Sequence, residues 1–181
     1  MSKVFKVGLI GCGHIAETYF RAHKYFNNFK IIKCADINKS AAEKCAKIHR
    51  IKAVSIKELL NDKTINVILN LTIPAAHYKV SNQALIHGKH VYTEKPLAIS
   101  FQDGKRLIKL AKKKNLRIGN APDTFLGGGS QKSRALLDKK VIGKVIFGNA
   151  IFAYPGIQSY HPNPESWFAK QGGGPVIDMG P

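Results

Sequence analysis

A doubly wound α/β sheet, parallel and covered by helices on both faces, is the fold class this sequence predicts. Three observations carry that prediction. Short β-branched runs alternate with amphipathic stretches of helical length. The connections between them are short turns, as in successive strand–helix–strand units. The most apolar runs are continuous rather than alternating, which suits strands buried on both faces.

The elements follow in order. "VFKVGLI" (4–10) reads as a buried strand and residues 14–26 as a helix. "KIIKCAD" (30–36) is a second strand ending on an acid, and "KSAAEKCAKIH" (39–49) the next helix. Ser40 and Glu43 have the spacing of a capping box, and Ser55 and Glu58 repeat it in "SIKELL" after a short strand near 51–54. "INVILNLT" (65–72) is a central strand, 75–87 a helix, "KHVYTE" (89–94) a strand, and Ser100–Lys114 a helix with Ser100 and Asp103 at its start. "LRIGN" (116–120) completes the sheet, and right-handed crossovers place helices on both faces.

This first domain covers residues 1–122. Beyond it, "FLGGGSQKSRALLDKKVIG" reads as a glycine-loosened helix, "KVIFGNAIFAYPG" as a long strand, and "QSYHPNPESWFAKQGGGPVIDMGP" as an irregular loop entering another helix. One strand cannot form a sheet alone. Residues 123–181 are therefore expected to be the incomplete start of a second domain, the rest of which is missing.

Composition excludes several classes. At 181 residues and 44% hydrophobic content the chain can bury a core. No apolar run approaches the ~18 residues of a membrane span, and "MSKVFKVGLI" lacks the apolar stretch and cleavage site of a signal peptide. A cytoplasmic protein with no membrane partner is expected. Cys12, Cys34 and Cys45 form no CxxC pair, which predicts reduced, partly buried thiols rather than a disulfide framework or zinc site. His87 and His90 flank a turn with no third ligand near, so no metal site is expected. The net charge of +18 comes mostly from lysine spread along the chain, the one tight run being 112–114 late in a helix. A solvated basic surface is expected, with no specific nucleic acid.

The spacing Gly11-Cys12-Gly13-His14-Ile15-Ala16 is the G-x-G-x-x-G/A turn of a dinucleotide fold. The first glycine permits the tight turn and the second lets a pyrophosphate approach bare backbone. The small third residue lets helix and strand pack closely. Phosphates then sit at a helix N-terminus, where free N–H groups and the dipole favour negative charge. His14 and Ile15 are grouped with this loop, and the His14 side chain is assigned no role. Asp36 closes the next strand 20 residues after Ala16. A carboxylate there accepts hydrogen bonds from ribose hydroxyls and repels a 2′-phosphate, which favours NAD; Lys39 nearby would soften that preference, and NADP is not excluded. The alternative is that Asp36 only begins a turn or caps a helix.

Further stretches resemble one family. "TIPAAH" (72–77), "GKHVYTEKPLA" (88–98), "PDTFLGGGSQKSRALLDKKVIGKV" and "GGGPVIDMG" (172–180) stand in the order found in the Gfo/Idh/MocA oxidoreductases, named for glucose–fructose oxidoreductase and inositol dehydrogenase. The resemblance runs along essentially the whole chain. It implies an N-terminal Rossmann domain followed by an α+β domain with a mostly antiparallel sheet, which also mediates homo-oligomerisation. It implies NAD(P)-dependent hydride transfer between nicotinamide and a secondary hydroxyl or ketone of a sugar, inositol or related polyol. The lysine of E-K-P, here Lys95, is then catalytic and contacts both cofactor and substrate, and the resemblance implies a cis peptide before Pro96. A lysine beside a hydroxyl can stabilise oxyanion charge or relay the proton.

The same resemblance places Glu94 against the cofactor or behind Lys95 as its orienter. It sets Thr72 and Pro74 where the backbone turns around the cofactor. His77 matches as a cofactor contact or as a satisfied histidine at a helix start. Asp178 matches an acid that binds or activates substrate hydroxyls, and a catalytic His or Tyr would follow at position 182. His161 and Trp167, in "YHPNPESW", would meet the substrate, Trp167 as an apolar wall or simply as core. Rival readings are a non-catalytic dinucleotide-binding sensor, a nucleic-acid binder driven by charge, and a related reductase of an imine, tetrapyrrole or semialdehyde. Because the second domain is incomplete, the chain is expected to be a truncated copy that binds cofactor better than it turns over substrate.

Overall fold

The structure, a computed structural model, describes residues 4–121 and 124–151, together with 153, 155–159, 168, 173, 174 and 176. Six strands form one sheet: β1 (Phe5–Ile10), β2 (Phe29–Ala35), β3 (Lys52–Ala53), β4 (Val67–Asn70), β5 (His90–Thr93) and β6 (Ile118–Asn120). They lie in the order β3-β2-β1-β4-β5-β6, and every neighbouring pair is parallel. Helices α1 (Ala16–His23), α2 (Lys39–His49), α3 (Ile56–Asn61), α4 (Pro74–Ile86) and α5 (Phe101–Lys113) fill the crossovers.

Both faces of the sheet are buried, as the continuous apolar runs require. Neighbouring strand residues point to opposite faces. Ile10 and Ile68 accordingly join Leu59, Leu85 and Leu107 of α3, α4 and α5, while Leu9 and Leu69 join Phe20 and Cys45 of α1 and α2. Fully burying one such aliphatic side chain is worth roughly 1.5–3 kcal/mol. Gly8 belongs to this packing: an added Cβ would lie 2.7 Å from the Leu59 side chain. The β1–β2 register also shifts between Val7 and Gly8.

Helix α2 spans the expected residues but starts by a different device. The Asp36 carboxylate accepts the Asn38 N–H, and the Asn38 side chain accepts the Ala41 N–H. Asn38 is thus the N-cap, and Ser40, already inside the first turn, does not form the box expected with Glu43. The Ser55–Glu58 box forms as expected, with both reciprocal bonds present. Ser100 caps α5 through the Asp103 N–H. Helix α1 is shorter than expected; the chain turns after His23, leaving Tyr25 and Phe26 exposed.

Helix α6 (Gly128–Asp138) forms where a glycine-loosened helix was expected and buries none of its residues. The long strand expected from residue 144 is not found among the described residues; 145–151 is irregular, with Ile146 and Phe147 almost fully exposed. An extended segment without a neighbouring strand has no ladder partner for its N–H and C=O groups. Among the described residues no helix is long and apolar enough to cross a membrane.

Candidate functional site

The carboxyl ends of β1, β2, β4 and β5 carry Gly11, Asp36, Thr72 and Lys95 of the residues that the sequence singled out. Strand order reverses between β1 and β4, since β1 leads outward to β2 and β3 while β4 leads to β5 and β6. Crevices at such a switch point receive ligands in open α/β sheets.

Gly11 follows β1 with φ +101°, and its N–H donates to the Ala35 carbonyl at 3.0 Å. A Cβ on it would stand 2.5 Å from the Leu71 carbonyl oxygen and 2.7 Å from the Thr72 nitrogen. The loops after β1 and β4 therefore touch backbone to backbone, and only glycine permits it. Gly13 is the opposite case: it is exposed, and a Cβ there would meet nothing within 4 Å. The open cradle lies against the start of α1. Ile15 occupies the N-cap without capping through its side chain, and the Ala16 N–H reaches only the Gly13 carbonyl at 3.2 Å. Ala16 itself is buried, which lets α1 pack closely. An uncapped helix start beside open space at bare backbone fits a pyrophosphate.

Asp36, half-buried, holds this loop from β2. One carboxylate oxygen accepts the Cys12 N–H at 2.7 Å and the other the Asn38 N–H at 2.8 Å. It thus begins the turn into α2 and ties down the glycine loop at once. A carboxylate has about four lone-pair sites, so two remain for ribose hydroxyls.

The loop after β4 is built on Asn70, an amide inside an apolar strand. Its NH₂ donates to the His77 carbonyl at 3.1 Å and Ser81 Oγ at 3.0 Å, while its oxygen accepts the Thr72 hydroxyl at 2.7 Å. Pro74 opens α4 as its first residue, where its missing N–H costs nothing. His77 is 1% exposed. Its Nδ1 lies 2.6 Å from the Pro96 carbonyl and its Nε2 2.8 Å from the Thr72 carbonyl. Both partners are carbonyl oxygens, so a neutral ring donates to one and lies against the other, and the buried ring stands between the two loops.

Lys95 follows β5 and is half-buried, and the Lys95–Pro96 peptide is cis. The Glu94 carboxylate accepts the Tyr19 hydroxyl at 2.8 Å and the Lys95 N–H at 3.0 Å. Asn120 at the end of β6 donates to the Glu94 carbonyl at 3.0 Å. Elements α1, α4 and β6 therefore all hold the segment 94–96.

His161, Trp167 and Asp178 lie outside the described residues. Sequence reasoning missed Tyr19, Asn70 and Asn120. Asn70 had a legible signal, a lone amide in "VILNL". It also missed a cluster: Cys12, Cys34 and Cys45 bring their sulfurs within 4.8 Å of one another. The neighbouring Cys12 and Cys34 sulfurs pull the Cys45 thiol down, while the other two sulfurs and then burial push Cys12 up.

Comparison with known proteins agrees with this geometry. Residues 5–121 match the Gfo/Idh/MocA model, described as an oxidoreductase family with an NAD-binding Rossmann fold. The chain is 30% identical to a trans-1,2-dihydrobenzene-1,2-diol dehydrogenase of Xenopus laevis over 97% of its own length and 53% of the relative's. It is 29% identical to an inositol 2-dehydrogenase/D-chiro-inositol 3-dehydrogenase of Lacticaseibacillus casei, over 88% of this chain and 48% of that one. The crystal structure of a Synechocystis biliverdin reductase with biliverdin and NADP+ matches with a TM-score of 0.75 and 27% identity, covering 96% of this chain and 54% of that one. The chain spans about half the length of the curated relatives it matches. With its sheet order, its glycine loop and the sequence match in agreement, the chain belongs to the Gfo/Idh/MocA oxidoreductase family, with that family's NAD-binding Rossmann fold.

Proposed function

We propose that this chain carries the cofactor-binding half of an oxidoreductase acting on a secondary hydroxyl or ketone of a sugar, inositol or related polyol. The carrying observation is the pairing of Gly11, jammed against the Leu71 backbone, with Gly13, open to space beside the start of α1. The residues Gly11, Gly13, His14, Ile15 and Ala16 would hold the pyrophosphate, Asp36 the adenosine ribose, and Thr72 and Pro74 the far wall. Bound nicotinamide supplies the hydride acceptor or donor. Lys95 would bind the substrate hydroxyl and hold or relay its proton, with Glu94 fixing the lysine backbone. Asp178, His161 and Trp167 are carried as substrate residues on family resemblance, and residues 123–181 as the start of the substrate domain.

The test is a titration with NADH and NADPH, read by energy transfer from tryptophan and tyrosine. Asp36→Asn keeps an oxygen for one backbone N–H and removes the charge. Tighter NADH binding, a preference that narrows in Asp36→Asn, and affinity within about threefold of the parent in Lys95→Ala (under 1 kcal/mol) are expected. Absence of saturable binding to either dinucleotide refutes the proposal. A second reading, reduction of a tetrapyrrole or other non-sugar substrate, is favoured by the likeness to biliverdin reductase. The same glycine loop and Lys95 would serve it. Turnover of biliverdin but no polyol would select it.

A further inference from the structure

Cys12 sits between the two glycines of the phosphate loop, Cys34 on β2 and Cys45 on α2, with sequence separations that match no metal-binding motif. The fold nevertheless brings their three sulfurs within 4.8 Å of one another. The centre of such a triangle lies no more than about 2.8 Å from each sulfur, against ~2.3 Å for a zinc–thiolate bond. Inward movement of roughly half an ångström per sulfur, within the reach of side-chain torsions, closes the site.

We propose that Cys12, Cys34 and Cys45 form a three-thiolate site for a soft, thiophilic d10 cation, of which zinc is the probe of choice. Softness follows from the donor set, since three thiolates with no carboxylate or carbonyl ligand select against magnesium and calcium. Cys34 and Cys45 are buried on the α1–α2 side of the sheet, so two ligands are held in a dry pocket by Phe20, Ala46 and Leu69. Cys12 is half-exposed and marks the side from which an ion enters and where an external fourth ligand completes a tetrahedron. The three sulfurs come from three separate elements, so the cation would cross-link the β1 loop, β2 and α2.

Loading is a proton exchange: each ligand sulfur that still carries a proton gives it to buffer, and no sulfur changes oxidation state. In the thiol form, Cys34 Sγ lies 3.4 Å from the Ala42 carbonyl and Cys12 Sγ 3.7 Å from that of Ala35. Those contacts give way when the sulfurs turn inward. The neighbouring Cys12 N–H, held by Asp36, anchors the first ligand's backbone.

The experiment titrates the full chain, kept reduced with a phosphine and free of chelator, with Co²⁺ and then with Zn²⁺ as competitor. One cobalt per chain, with thiolate-to-metal charge-transfer absorption bleached by zinc, is the expected result. Cys12→Ser, the most exposed of the three, should weaken binding by at least about 100-fold, beyond the 10–100-fold that loss of an outer-shell partner costs. Its circular dichroism should match the parent, and Cys45→Ser gives an independent second ligand loss. No charge-transfer band, or a band unchanged in both variants, overturns the proposal. So does a band that survives alkylation of all three thiols. Dinucleotide is absent throughout, so failure here leaves the cofactor proposal standing.

Discussion

The two motif glycines should fail in opposite ways when each is changed to alanine. At Gly11, φ +101° charges a Cβ-bearing residue about 1–2 kcal/mol for a left-handed conformation. The added Cβ also stands 2.5 Å from the Leu71 carbonyl oxygen, so the loops after β1 and β4 must part by about 0.9 Å to reach an ordinary 3.4 Å contact. Forcing backbone apart in a packed region adds typically about 1–3 kcal/mol. Gly11→Ala should therefore lose about 2–5 kcal/mol, a large part of the ~5–15 kcal/mol that holds a domain folded. Gly13 has neither liability, because its Cβ would point into open space. Gly13→Ala should leave stability within about 0.5 kcal/mol, yet weaken NADH by at least about tenfold because the methyl fills the space a phosphate needs. Urea unfolding followed by circular dichroism, beside NADH titration of both variants, separates the two effects. A Gly11→Ala chain as stable as the parent, or a Gly13→Ala chain as damaged as Gly11→Ala, would refute the reasoning.

Two further changes probe the supports. His77→Ala removes the ring between the Thr72 and Pro96 carbonyls, with the hydrogen bond it donates there, and opens a cavity in a site 1% exposed, so a loss of about 2–4 kcal/mol is expected in the same unfolding assay; a loss under about 0.5 kcal/mol, the level of an ordinary surface change, would show that the ring clamps nothing. Asp62 is held well below the usual carboxylate range by the Lys33 ammonium first and then by the Thr64 hydroxyl and N–H. A depressed carboxyl contributes stability that is complete above the unfolded-state value of about 3.9 and is lost as pH falls through the folded value. Asp62→Asn should flatten the acid limb of the stability–pH curve, and an acid limb identical to the parent's would contradict the assignment.

Period and punctuation made the sheet legible in the sequence. The β-branched runs and the capping serines marked β4, α3 and α5 to within a few residues, because those signals are local. Where two local signals competed, tertiary structure chose: Ser40 and Asn38 are both good caps, and Asp36 settled the matter by accepting the Asn38 N–H. The segment after residue 144 reads as a strand from its residue types, but ladder partners are a property of other segments, and none of the described ones lies beside it. The cysteine cluster was illegible for the same reason. Cys34 and Cys45 face one side of the sheet, and Cys12 arrives there only because the chain turns at Gly11. No spacing rule contains that turn.

The same dependence on distant partners shapes the segment around Glu94. Here one carboxylate oxygen is taken by the Tyr19 hydroxyl and the other by the N–H of Lys95. The Glu94 carbonyl is held by Asn120, and the carbonyl of Pro96 faces His77. Three supports on three elements converge on a segment of three residues, while the glycine loop leads directly into α1, which carries Tyr19. Glu94 is thereby tied to the Lys95 backbone, while its carboxylate, like that of Asp36, keeps two lone-pair sites. The same supports fix the backbone on either side of Lys95, one of 24 lysines in this chain, beside the sheet's switch point.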